Sequence, residues 1–145
     1  MRVIVQLVRL PKNRMSYLGA FNNQLIRFFE ELTQSYPEEK GIRMALEAIT
    51  ATKKINPKLI LDLFFDNVYR DCHVWIEEQD EAIITFAKNK ISNEYNEMSA
   101  ALFIFDKYWP EMTENNQKVI WDYLKVLCIL CEKAKGLPHR QSLEK

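Results

Sequence analysis

The chain has 145 residues, enough for one domain and too few for two with adequate cores. An apolar fraction of 48% supports a real core and argues against global disorder, while three glycines and five prolines are too few turn residues for a many-stranded sandwich or barrel. Twenty basic residues balance twenty acidic ones. The excess of Lys and Arg that marks a phosphate-holding protein is therefore missing, and no long-range repulsion opposes self-association.

These constraints predict an all-α fold: a single compact domain of five to six helices with a short extended N-terminal segment. Residues 1–15 read as an N-terminal extension, 16–135 as the helical domain and 136–145 as a mobile polar tail. The run from Val3 to Leu10 is β-branched and apolar and is stopped by Pro11. One strand alone is hardly stable, so it must dock on the domain, pair with another chain, or be an upstream extension before a start at Met15. The helical pattern begins only after Met15, so residues 1–14 are expected to be dispensable for folding. Gln6 and Arg9 interrupt the run and no small-residue cleavage site follows, which does not fit a signal peptide.

The first helix is predicted over 17–34, where Leu18, Phe21, Leu25, Phe28 and Leu32 step by 3 and 4 and Phe29 widens the stripe. The second, over 37–53, takes Pro37 as its first residue, with Glu38 and Glu39 at the positive end of the dipole and Ile42, Leu46 and Ile49 on its apolar face. Asn56-Pro57 is a cap-and-proline start for a third helix over 57–70, with Leu59, Ile60, Leu63, Phe64 and Val68 in its stripe. It continues or kinks through Val74 and Ile76. Helices over 80–91 (Ile83, Ile84, Ala87, Ile91) and 94–108 (Tyr95, Met98, Leu102, Phe103, Phe105) follow. Thr113 caps the last, over 114–134, whose stripe is Ile120, Tyr123, Leu124, Leu127 and Cys131; Gly136 and Pro138 close it. Phe28, Leu63 and Leu124 are the expected core representatives.

No catalytic, cofactor-binding or metal-binding residue is assigned. Cys128-x-x-Cys131 lies near a helix end, where the dipole opposes thiolate formation, and a zinc site would need Cys72, His73 or His139 as well. Buried thiols explain the pair better. Asp71-Cys72-His73 reads as a histidine near a helix C-terminus, since catalytic Cys and His are seldom sequence neighbours. Glu77, Glu78, Asp80 and Glu81 read as a solvated helix start, because a calcium loop alternates its ligands and carries a glycine. The odd count of three cysteines suits a reducing compartment, and no stretch nears the ~20 apolar residues of a membrane span.

The candidate partner surface is Trp121 with Lys53, Lys54 and Lys58. The lysines match a cationic helix end and, as the second reading, a phosphate contact. Trp121 sits beside the Ile120 stripe and could be half exposed as an interface anchor.

Phe21-Asn22-Asn23-Gln24-Leu25-Ile26-Arg27-Phe28, Tyr36-Pro37-Glu38-Glu39, Lys54-Ile55-Asn56-Pro57-Lys58, Ile76-x-x-x-Asp80-Glu81 and Asn116-x-x-x-Ile120-Trp121-x-Tyr123-Leu124-x-x-Leu127 together resemble small uncharacterised helical proteins of giant (nucleocytoplasmic large) DNA viruses. The resemblance spans residues 21–131 and rests on caps and core positions. It implies a viral origin, a start near Met15, and residence in host cytoplasm, nucleus or virion interior. It implies no activity and no site residues. The leading expectation is a non-enzymatic protein–protein interaction module, a viral particle component or adaptor bound to itself or another viral protein. The alternative is a nucleic-acid-associated regulatory protein that holds DNA or RNA through Lys53, Lys54 and Lys58.

Overall fold

A computed structural model of the chain describes residues 14–93 and 99–138. The extended segment over 3–10, the stripe positions Tyr95 and Met98, and the tail from His139 lie outside the described residues. Among the described residues there are six helices and no strand. They are α1 (Arg14–Ser35), α2 (Lys40–Ile55), α3 (57–78), α4 (Ala82–Asn93), α5 (Ser99–Lys107) and α6 (Glu114–Lys135), with a 3-10 turn at Trp109–Glu111 before α6.

Helices α1 and α6, each of 22 residues, pack along each other more extensively than any other pair. From α1, Phe21, Leu25, Phe28, Phe29 and Leu32 are buried, with Leu18 half-buried at the stripe's end. From α6, the whole predicted stripe from Ile120 to Cys131 is buried, and the Phe28 and Tyr123 ring centroids stand 5.0 Å apart. Local signals set the limits of α6: the Asn116 N–H donates to Thr113 Oγ1 at 3.1 Å, and Gly136 ends the helix at φ 70°.

Several boundaries shift by one to three residues, and two differences have an identifiable physical cause. Helix α2 begins at Lys40, not Pro37; Pro37 and Glu38 form a turn and Glu39 is the extended N-cap residue. The cause lies elsewhere in the chain. Lys107 Nζ donates to Glu39 Oε1 at 2.6 Å and Tyr108 Oη donates to the same oxygen, so Glu39 is held by the end of α5 instead of opening a helical turn. Lys107 first and Tyr108 second hold its carboxyl below the ordinary carboxylate value. Tyr108 also stacks on Tyr36 with centroids 4.1 Å apart, which fastens the α1–α2 turn to α5.

The third helix passes its predicted span of 57–70 and continues through Val74 and Ile76, running from Pro57 to Glu78 with a π-helical turn at Phe65–Tyr69, where the Arg70 N–H bonds to the Phe65 carbonyl. Its buried face is Ile60, Phe64, Val68, Cys72 and Ile76, each four residues from the last. In an unbroken α-helix four such steps drift about 160° around the axis. The π-turn absorbs one residue, about 100° of that drift, and returns Cys72 and Ile76 to the core side. Leu63 falls off this line and is only half-buried, which corrects its expected core place; Leu59 is exposed. His73 lies well inside α3, not at its C-terminus. Its Nδ1–H donates to the Tyr69 carbonyl at 2.7 Å and its ring stacks on Tyr69 at 4.6 Å.

The end of α3 carries the one left-handed non-glycine position among the described residues: Gln79 adopts φ 53°, ψ 43°, the cap that glycine ordinarily fills. The Asp80 N–H closes the turn onto the Trp75 carbonyl at 2.8 Å.

Truncating Phe28 or Leu124 to alanine is expected to cost about 2–5 kcal/mol in chemical denaturation, the range for large buried side chains, and Leu63→Ala distinctly less. Equal losses at all three positions would contradict the assigned buried face of α3. Gln79→Gly is expected to stabilise the fold by about 0.5–1 kcal/mol, the relieved left-handed strain less the added chain entropy, and a lower melting temperature would count against the strained cap.

Candidate interaction surface

The corner between α2 and α3 is built from short-range signals. The Asn56 N–H donates to the Thr52 carbonyl at 2.7 Å and closes α2. The same residue's Oδ1 accepts from the Leu59 N–H at 3.3 Å and starts α3, with Pro57 in the position where a missing N–H costs nothing. Two neighbouring asparagines of α1 then hold the corner from below. Asn22 Nδ2 donates to the Pro57 carbonyl at 3.2 Å, and Lys53 Nζ donates to Asn23 Oδ1 at 2.8 Å.

The outer side of this clamped corner carries apolar side chains in solvent. Ile55 is 86% exposed, Met44 67% and Leu59 41%. Met44, Ala48, Ala51 and Ile55 fall within an arc of about 60° on α2 at 100° per residue. They lie on the side away from Ile42, Ala45 and Ile49, which are buried. Helix α2 therefore has two apolar stripes, one in the core and one facing out. The sequence prediction contained only the inner one, although the outer steps by 4, 3 and 4 and was open to the same counting.

The three predicted lysines are brought together here, but they do different things. Lys53 is half-buried and committed to Asn23. Lys54 and Lys58 are exposed, and among the described residues neither forms an ion pair. Both Lys53 and Lys54 lie in the last turn of α2, where cations complement the helix dipole. No carboxylate occurs between Glu47 and Asp62, and Asp62 is taken by Lys135 at 2.8 Å. The corner is thus locally positive on a chain of zero net charge.

Trp121 does not belong to this surface. It is 4% exposed, edge-on to Trp109 at 5.2 Å and 5.7 Å from Phe105. Burying its ring in that aromatic cluster removes far more apolar area from water than a half-exposed anchor would.

Cys72, Cys128 and Cys131 are free and buried. Burial pushes the Cys72 and Cys131 thiols up to about 12 and raises Cys128 well above the ordinary thiol value. A neutral thiol is a poor nucleophile and a poor ligand. The acidic run is split: Glu77 and Glu78 close α3, while Asp80 Oδ1 accepts from the Ala82 N–H at 2.9 Å at the start of α4. Among the described residues, no group of three or more His, Cys, Asp or Glu is placed to hold a metal ion, and no helix is long and apolar enough to cross a membrane. A shallow cleft of about 220 Å³ lies between Ile129, Glu132, Lys133 and Leu137, smaller than the roughly 300–1,000 Å³ of small-molecule pockets. Its buried carboxylate, Glu132, accepts from Tyr69 Oη at 2.8 Å across the core.

Compared with known proteins, the chain matches no protein family, no curated protein and no solved structure.

The thiols give a direct check on this interior. Because folding raises all three above their ordinary values, the native protein should react negligibly with a disulfide reagent near neutral pH, and unfolding in guanidinium should release three thiols. Fast modification of Cys128 in the native state would contradict its buried, neutral setting.

Proposed function

We propose that the chain is a non-enzymatic helical protein–protein interaction module that docks its partner on the outer face of α2 and the corner into α3. The observation that carries this reading is the exposure of Ile55 and Met44, on one stripe of a helix whose other stripe is fully used by the core. Covering a large apolar side chain contributes roughly 1.5–3 kcal/mol, so a continuous exposed stripe favours a partner in a way that scattered single residues do not. The partner's complementary face is apolar, with carboxylates opposite Lys54 and Lys58. The resemblance to proteins of giant DNA viruses supports a role as a particle component or adaptor, with the chain itself or another viral protein as partner.

The alternative, a nucleic-acid-associated regulatory protein, draws on the same two free lysines. It is the weaker reading because Lys53 is committed to Asn23 and because Ile55 and Leu59 flank the lysines with surface that matches no phosphate backbone.

The test is a photo-crosslinking amino acid placed at position 55 of the full chain in cells that make it, with the exposed position 71 as control. A discrete protein adduct from 55 and not from 71 is the expected outcome. Adducts to DNA or RNA would shift the assignment to the alternative, and no adduct from 55 would overturn the docking face.

A further inference from the structure

We infer that the partner on the outer face of α2 is a second copy of the chain, docked antiparallel, α2 against α2, about a two-fold axis. The inference rests on the interaction-module reading above and names the occupant of the same face. A two-fold interface places the same patch on both copies, so the patch must be complementary to itself. The outer stripe meets that condition in size and in spacing. Met44, Ala48, Ala51 and Ile55 run large, small, small, large with steps of 4, 3 and 4, and read the same from either end.

With the axis between Ala48 and Ala51, Met44 lies opposite Ile55 of the second copy and Ala48 opposite its Ala51. The central alanines let the two backbones approach closely, and the large side chains close the seam at both ends. The extended, flexible Met44 side chain adapts to the branched Ile55.

Charge gives an independent reason for the same arrangement. Glu47 and Lys54 lie on one flank of the stripe, and among the described residues neither forms an ion pair within its own chain. An antiparallel two-fold turns that flank toward itself. Glu47 then stands two residues, about 3 Å along the axis, from Lys54 of the second copy, and Lys54 from its Glu47. A parallel pair would turn that flank toward the opposite one, and Glu47 and Lys54 would not meet across the seam. The chain's zero net charge adds no repulsion between copies. One helix pair falls at the low end of specific interfaces, below about 1,200 Å², so the dimer forms reversibly with concentration.

The experiment is sedimentation velocity of the full chain over rising concentration. The mass is expected to climb toward twice the monomer's, and Ile55→Asp should hold it at the monomer with an unchanged melting temperature, because Ile55 makes no core contact. Glu47→Lys and Lys54→Glu should each weaken association by about tenfold or more through like charges. An equimolar mixture of the two variants should recover the dimer, because the mixed pair has opposite charges at both contacts. A wild-type chain that stays monomeric, a dimer indifferent to Ile55→Asp, or a mixture no better than its components would each overturn the proposal. The two readings separate cleanly. A monomeric chain that crosslinks another protein from position 55 removes self-pairing and keeps the docking face, whereas a monomeric chain with no adduct from 55 removes both.

Discussion

The packing of α1 on α6 is the constraint from which the rest of the architecture follows. Phe21, Leu25, Phe28 and Leu32 on one side meet Tyr123, Leu124 and Leu127 on the other, all buried. The remaining helices are layered against this seam. The first half of α3 closes on α1, with the Phe21 and Phe64 rings 5.1 Å apart. Its second half faces α6, where Tyr69 meets Glu132. The α4–α5 pair packs chiefly within itself and enters the core through Ile83, Ala87, Leu102 and Phe105. Because the seam joins segments about a hundred residues apart in the chain, it belongs to the non-local contacts that form against loop-closure entropy. The intervening helices must already be short, capped and well directed for it to close.

Much of this was legible because its causes are local. The stripes of α1 and α6 step by 3 and 4, and Asn56, Thr113 and Gly136 cap or end their helices through groups within a few residues. What was not legible depended on residues far away or on a departure from α-helical period. A 3-and-4 count assigns Leu59 and Leu63 to the core; the actual buried line, Ile60 to Ile76 in uniform steps of four, makes sense only once a π-turn is admitted. Glu39 reads as a first-turn acid until Lys107 and Tyr108, well over sixty residues on, take hold of it. Trp121 is buried by Phe105 and Trp109, whose approach no local pattern announces. The candidate surface was half visible: the lysines were found by their clustering, whereas the outer stripe of α2 was masked by its two alanines, which count equally well toward either face.

The same contrast separates the interior from the proposed docking face. Inside, Tyr69 answers Glu132 and the thiols keep their protons, while Glu31 Oε1, Trp109 Nε1 and Tyr123 Oη are buried without a partner. Outside, the α2–α3 corner leaves two cations and three large apolar side chains unanswered, while the Asn22 and Asn23 bonds hold the backbone beneath them in place. A surface that is already ordered loses little conformational freedom when it is covered, so more of its apolar burial remains as affinity.

The π-turn has a consequence for how the chain tolerates change in length. A single extra residue within α3 is accommodated there as a local widening, so Phe65–Tyr69 has the form of an insertion that the helix absorbed without moving either flank. Loss of one residue from the same stretch would restore regular α-helix and leave everything after it in place. Cys72 and Ile76 would stay on the core side, whereas keeping the extra residue in an unbroken α-helix would swing them out by about 100°. The segment is thus open to a change of one residue in length while Val68 and Tyr69 keep their buried places, and related chains that keep this fold should align through it with or without a one-residue gap.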